Sequence, residues 1–275
     1  MARTIIEPGR IERQYWRDLW HYRELFYVLA WRDISVRYKQ TVIGVAWAVL
    51  QPLIATIIFT VIFGKLAKIP PDGVPYPLLV MAAMLPWQFF SSSLTSSSQS
   101  LVNSANMISK VYFPRMIIPA GAVITAMVDL LITFGLVLIL MAWFHFLPTW
   151  RFIVLPFLVV MAFLAALGPG LLLTALNVKY RDFRYIIPFI VQIGMYVSPV
   201  GFPSTVVQEK FPQWIGLYSL NPMVGVIDGF RWALLGGKGG ITLPSFALSL
   251  AVIVLFALLG VWYFRKTEKT FADVI

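Results

Sequence analysis

Cysteine is absent from the 275 residues, and histidine occurs only twice, at His21 and His145. The first absence excludes a disulfide framework, a thiolate metal site and a cysteine nucleophile. The second, with no clustered carboxylates, leaves little for metal or general acid–base catalysis, so no metal ligands and no catalytic residues are expected. Charge is scarce as well: 12% of the residues are charged, against about 25% in a soluble domain. A phosphate loop of the form G-x-x-x-x-G-K-[S/T] is also missing. The nearest string, GGKGG at 236–240, lacks the leading glycine and the hydroxyl residue after lysine, so these residues carry no ATPase motor.

What is abundant is apolar: 59% of the residues are hydrophobic and the mean hydropathy is +0.80. In a bilayer only helices and closed barrels satisfy their backbone polar groups, and the apolar blocks here run on without alternating. The expected fold class is an all-α polytopic membrane protein. A crossing needs about 20 mostly apolar residues, and six candidates stand at 42–63, 78–101, 118–144, 152–176, 186–200 and 243–264. The second becomes serine-rich after Phe90, with SSSLTSSSQS at 91–100. Small hydroxyl residues stay helical by bonding back to the preceding turn and favour close packing, so this half is expected to be buried helix. The charged, aromatic opening residues do not form a cleavable leader, and none is expected.

Charge position reads as topology. With six crossings both termini share a side. Placing them in the cytoplasm puts sixteen of the 22 Lys and Arg residues inside, as the positive-inside rule requires. The net charge of +10 thus reads as an insertion signal rather than a nucleic-acid footprint, since no aromatic-basic recognition module accompanies it. Residues 214–235 resemble a seventh crossing but contain Asn221, Pro222, Asp228 and Arg231, and a seventh crossing would export the basic tail. Asn221 and Pro222 form an N-cap and N1 pair. Met223, Ile227, Phe230 and Leu234 follow at helical spacing, while Asp228 and Arg231 sit three apart on another face. The expectation is a re-entrant or interfacial helix on the outer side. The chain then divides into a cytoplasmic interface helix and gate segment at 1–41, one membrane domain at 42–264 and a cytoplasmic tail at 265–275.

Several segments invite functional readings. Ile11, Tyr15, Leu19, Tyr22, Phe26 and Leu29 recur at helical spacing among arginines and tryptophans, the pattern of an amphipathic helix lying in a membrane interface; it serves equally as an anchor or as a platform for an amphipathic substrate. Arg32, Arg37 and Lys39, with Tyr38 between, precede the first span at headgroup depth. They would counter a lipid pyrophosphate, and snorkelling anchors would look the same. Asn103 to Arg115 form a short amphipathic element ending near Pro114, suited to a partner's groove or to packing on the bundle. Asp129 falls in the middle of the third span, where a lone carboxylate is expensive; it is either functional or a hydrogen-bonded packing residue, and its partner is not readable. Gly168, Pro169 and Gly170 form either a hinge or a static contact in the fourth span. Trp47, Phe59, Phe189, Tyr196 and Phe202, with Phe63 beside them, fall in or at the ends of the first and fifth spans, as sugar-stacking walls or as interface belts.

Four stretches together resemble the permease subunits of ABC-2 type polysaccharide exporters, which carry O-antigen, capsular polysaccharide or teichoic acid. They are RDISVRYKQTVIGVAWAVLQP at 32–52, SKVYFPR at 109–115, KYRDFRY at 179–185, and NPM at 221–223 followed by FRW at 230–232. The resemblance implies a homodimer in the bacterial inner membrane, surrounded by membrane lipids. A separate ABC ATPase dimer would bind ATP and Mg, and the substrate would be an undecaprenyl diphosphate-linked O-antigen polysaccharide of lipopolysaccharide biosynthesis. It also implies that Ser109, Lys110, Val111, Tyr112, Phe113 and Arg115 couple to the ATPase. Arg32, Arg37, Tyr38 and Lys39 would admit the lipid pyrophosphate, the aromatics named above would line the channel, and the helix with Asn221, Pro222, Asp228 and Arg231 would gate it outside. Capsular polysaccharide or teichoic acid are the alternative cargoes. A polyprenyl-sugar transferase would require an acidic pair or a base that the sequence lacks, and an ion-coupled carrier would require inverted repeats and more intramembrane charge than Asp129 supplies.

Overall fold

The computed structural model describes residues 12–39, 42–71, 73–108, 110–236 and 242–271, and among these every regular element is helical. Two helices, α1 (Glu12–His21) and α2 (Arg23–Lys39), precede α3 (Val42–Phe59), which continues as a π-helix over Thr60–Leu66. The chain returns through α4 (Tyr76–Asn103) to a single turn, α5 (Ala105–Ile108), and then forms α6 (Ile117–Trp143), α7 (Leu155–Lys179) and α8 (Phe183–Val197). Three further helices, α9 (Thr205–Lys210), α10 (Ile215–Tyr218) and α11 (Pro222–Leu234), lead to α12 (Leu243–Thr267).

Among the described residues, five stretches are long and apolar enough to cross a membrane: Ala46–Leu66, Tyr76–Asn103, Ile117–Trp143, Trp150–Lys179 and Leu243–Thr270. The remaining candidate is α8, apolar but only 15 residues long. Its end has a local cause: Ser198 is extended, with ψ 155°, the conformation that the following Pro199 imposes on its predecessor. The termini of α3 to α12 alternate between two ends of the bundle. The near end carries α1, α2, α5 and the last turns of α12, and the far end carries α11.

The serine-rich half is helix throughout, and α4 is the central element: 72% of an 18-residue apolar stretch of it is buried, against 17% of the corresponding stretch of Ala46–Leu66. Ser98 and Ser100 donate back to Thr95 O and Ser97 O at 2.8 and 2.6 Å, which satisfies their hydroxyls without a lipid-facing polar group. From α7, Thr174 donates to Ser97 O and Asn177 to Ser98 O, both at 2.8 Å. Two apolar clusters result. The larger joins α4, α6, α7 and α11, and a second at the near end joins Leu101, Phe113, Ile117, Leu171, Phe264 and Phe271.

The stripe read as membrane-facing in the N-terminal segment faces protein instead. Tyr15, Leu19, Tyr22, Phe26 and Leu29 pack on the near-end cluster, while Trp16, Trp20 and Trp31 are exposed. Ile11 lies outside the described residues. Amphipathicity requires that an apolar face be covered, and both a bilayer and a protein surface cover it equally well. The 214–235 segment folds as two short helices, α10 and α11, and α11 is buried on nearly every side rather than presenting one polar face.

Gly168 and Gly260 bring α7 and α12 into backbone contact. A Cβ on Gly168 would lie 2.6 Å from Ala257 N, and one on Gly260 would overlap the carbonyl oxygen of Gly168. The Gly168-Pro169-Gly170 segment is therefore a close-packed crossing inside an unbroken helix. Substituting Gly260→Leu should separate these helices and cost about 3 kcal/mol or more. Gly135→Leu, where a Cβ meets nothing within 4 Å, should change stability by under about 0.5 kcal/mol. Thermal unfolding of the two variants in detergent checks the contrast, and equal stability would remove the crossing as a structural constraint.

Candidate functional site

At the near end, α2 packs along α6 and ends where α3 begins. This places Arg37 and Tyr38 over the middle of α6, where Asp129 is 7% exposed. The Arg37 Nη2 stands 2.8 Å from Asp129 Oδ2, and the Tyr38 hydroxyl donates to Asp129 Oδ1. From α4, Ser92 Oγ donates to Asp129 Oδ2 at 3.1 Å and accepts from Arg37 Nη2 at 3.3 Å. Burial and the hydrogen bond to Asp129 push the Tyr38 hydroxyl well above the ordinary phenol range, so it stands as a neutral donor. A guanidinium, a phenol and a serine hydroxyl thus surround one carboxylate, an all-donor set suited to an oxyanion.

Arg32 does not join this group. It pairs with its neighbour Asp33 at 2.9 Å, and both are exposed. The Lys39 side chain lies outside the described residues, as does Ser109. In the segment that follows, Lys110, Val111 and Tyr112 are exposed whereas Phe113 is buried in the near-end cluster. Arg115 is held by a residue that sequence reading missed, Glu268. The Glu268 carboxylate accepts from the Arg115 backbone N–H at 2.8 Å and from the Tyr15 hydroxyl at 3.1 Å, and Arg115 Nη1 donates to Glu268 O at 2.5 Å. The Arg265 guanidinium lies 3.5 Å from the centre of the Tyr15 ring. One carboxylate therefore ties α1, the segment entering α6 and the end of α12 together. The only signal in the sequence was an acid isolated among basic residues of the tail.

At the far end, Phe59, Phe63, Tyr196 and Phe202 cluster. Phe59 and Phe63 stack with centroids 5.5 Å apart, Tyr196 meets Phe59 edge-on at 6.3 Å, and Phe202 meets Phe63 at 6.1 Å. Phe59, Tyr196 and Phe202 are thus brought together with Phe63, the aromatic read beside them at the end of the first span. Trp47 and Phe189 are exposed and take no part in this cluster. The loop beside the cluster is stapled by α11. The Arg231 guanidinium is fully buried and donates to the carbonyls of Leu79, Phe202 and Val200 at 3.1, 2.9 and 3.0 Å. Tyr76 donates to Gly201 O at 2.7 Å. Asn221 caps α11 through Met223 N at 3.0 Å and donates to Ser198 Oγ at 2.9 Å, with Pro222 at N1. Asp228, also buried, is held by Ser204, whose Oγ lies 2.6 and 2.5 Å from the two carboxylate oxygens.

A bundle of long apolar helices with a charged group buried at mid-span and a pinned aromatic cap is a polytopic membrane protein. Its sequence matches the ABC-2 type transporter family over residues 24–235, most of the chain, and it belongs to that family. It is 25% identical over 261 residues to the O-antigen export system permease protein RfbA of Myxococcus xanthus, covering 94% of this chain and 98% of that protein. To the RfbA of Klebsiella pneumoniae it is 25% identical over 253 residues, 92% of this chain and 95% of that one. To the polysialic acid transport protein KpsM of Escherichia coli it is 22% identical over 242 residues, with 86% and 91% covered. The chain is a multi-pass inner-membrane protein.

Replacing Arg231 tests the far-end staple. Arg231→Met fills similar volume but leaves three carbonyls without their donor and Asp228 without a nearby cation, which should cost about 3–5 kcal/mol. The melting temperature in detergent should fall by roughly 5–10 °C, and Arg231→Lys, a point charge without the fork, should recover only part of it. An unchanged melting temperature in Arg231→Met would show that the fork does not hold the loop.

Proposed function

We propose that two copies of this chain form the membrane pathway of an exporter that moves an undecaprenyl diphosphate-linked O-antigen polysaccharide across the inner membrane, driven by a separate ATPase dimer that binds ATP and Mg. The observation that carries this reading is the end-to-end correspondence, over more than nine-tenths of the chain, with two proteins named as O-antigen export permeases. The relation to KpsM supports a second cargo, capsular polysaccharide, handled by the same machinery.

The topology in this reading has six crossings, with α8 as the short fifth, both termini in the cytoplasm and α11 re-entrant from the outer side. Six helices scarcely enclose a polymer, whereas two copies supply twelve. The exposed apolar faces of α3, with Trp47, Leu50, Ile54 and Ile57, and of α8, with Phe189, Ile190 and Ile193, are the surfaces a second copy would cover. The lipid pyrophosphate would be received by Arg37 and Tyr38, with Lys39 and Arg32 adding positive charge beside them. The aromatic cluster at the far end would offer stacking faces to sugars near the exit, and α11 would hold the loop that closes it.

The ATPase would meet Lys110, Val111 and Tyr112, because Phe113 and Arg115 are occupied inside the chain. A Val111→Asp, Tyr112→Asp double variant of the complex purified with its ATPase should bind the ATPase at least about tenfold more weakly, the loss of a desolvated aromatic contact. In cells, lipid-linked polymer should then accumulate on the cytoplasmic side, while the variant permease keeps the wild-type melting temperature. Normal export with intact association would overturn this assignment of the segment. Normal surface polysaccharide in cells lacking the chain altogether would overturn the cargo.

A further inference from the structure

We propose that Asp129 is a built-in stand-in for the substrate's diphosphate: a carboxylate that occupies Arg37 and Tyr38 at rest and must give them up when a lipid diphosphate loads. The inference rests on the reading of Arg37 and Tyr38 as the receiving site. It assigns Asp129 the regulation of that site.

The geometry separates this role from packing. A carboxylate kept for packing alone is best served by donors buried with it, since a half-exposed cation contributes less in the higher dielectric near water. Here the carboxylate is 7% exposed but its cation is 40% exposed, so an anion arriving from outside can reach the guanidinium that Asp129 holds from within. The cation also comes from α2, a peripheral helix, rather than from a neighbouring span. Every group on the carboxylate is a donor: Arg37 Nη2 at 2.8 Å, the Tyr38 hydroxyl, and Ser92 Oγ at 3.1 Å. Phosphate oxygens are likewise acceptors and bind guanidinium more strongly through their greater charge. A diphosphate and Asp129 therefore compete for one donor set.

The exchange is not symmetric. Once Arg37 turns to the diphosphate, Asp129 keeps Ser92 from α4, and its charge is left in the bundle without its cation. That residual cost keeps the pair closed when no lipid is bound and makes loading depend on movement of α2 relative to α6. Because α2 is followed within three residues by α3, the same movement reaches the first span.

The test uses the detergent-solubilised permease with its ATPase, with geranylgeranyl diphosphate as the lipid probe and inorganic pyrophosphate as the free one. Asp129→Asn keeps the shape and removes the competing charge. It should bind geranylgeranyl diphosphate about tenfold more tightly, the middle of the usual range for coupled sites, while Asp129→Glu should stay near wild type and Arg37→Gln should bind several-fold more weakly. Tightening for both probes assigns the competition to the diphosphate itself, and tightening for the lipid alone assigns it to a headgroup already held by its chain. If Arg37→Gln leaves binding unchanged, the receiving site itself is overturned. If Arg37→Gln weakens binding but Asp129→Asn does not tighten it, only the stand-in role is overturned. The cysteine-free sequence gives a second measurement that leaves Asp129 in place. A Ser92→Cys variant should react with maleimide faster when geranylgeranyl diphosphate is present, because Arg37 has withdrawn from above it. An unchanged rate in a variant that binds the lipid would overturn the displacement.

Discussion

A single carboxylate in the middle of α6 sets the terms for the near half of the molecule. A carboxylate among apolar spans is costly without a cation beside it, and among the described residues the cation paired with Asp129 is Arg37, which arrives from α2. That requirement docks the end of α2 across α6, and the short connection to α3 carries the constraint into the first span. It also explains why serine rather than leucine occupies position 92 of the central helix, since the carboxylate's second oxygen needs a donor there. In the serine-rich half of α4, Ser92 thus supplies a donor to the buried acid, the hydroxyls of Ser97, Ser98 and Ser100 close on their own helix, and the backbone carbonyls of Ser97 and Ser98 receive α7.

Hydropathy made the spans legible because the bilayer imposes a length and composition on every crossing. Partnership was not legible in the same way. Asp129 was conspicuous as an expensive residue, yet its partners lie 91 positions away at Tyr38 and 37 away at Ser92, and no local pattern reports a contact between helices. Amphipathic stripes misled for a related reason. The Tyr15, Leu19, Tyr22, Phe26 and Leu29 stripe required a cover without saying whether lipid or protein supplied it, and Phe113, in an element suited to a partner's groove or to packing on the bundle, completes that same cover. Asp228 and Arg231 at a spacing of three suggested one polar face. The fold instead directs the arginine to three carbonyls and the acid to Ser204, so both vanish into the interior.

The far end solves the same problem with the opposite charge. The loop after α8 leaves helical geometry before Pro199 and exposes carbonyls that no lipid could satisfy. A fully buried guanidinium forks onto two of them and onto the first turn of α4. Irregular backbone at this depth is tolerated only where protein encloses it, which is why α11 is buried rather than interfacial. The aromatic cluster is a consequence of that pinning: Gly201 sits against Phe63 and Phe59, where a Cβ would lie 2.6 Å from the Phe63 ring, so the loop and the π-helical end of α3 hold each other in register.

These polar clusters are satisfied within one chain, and the surfaces left open on α3 and α8 are apolar. In the proposed pair a second copy would cover hydrocarbon-like faces, a contact that carries little charge specificity and would leave the charged centres free to change partners without dissolving the pair. In the proposed complex, force from the ATPase would have a path inward. The exposed residues Lys110 to Tyr112 lead into Arg115, whose backbone and guanidinium both end on Glu268, and the same carboxylate holds Tyr15 of α1. A shift of the loop before α6 therefore cannot occur without breaking a bond to α1 or moving it. Since α1 runs through Tyr22 into α2, displacement there arrives at the helix whose last turn holds Asp129. On that proposal the N-terminal helices would have a mechanical reason to pack on protein with their apolar stripe: a helix floating in the interface could anchor the chain, but it could not carry a push to the ion pair.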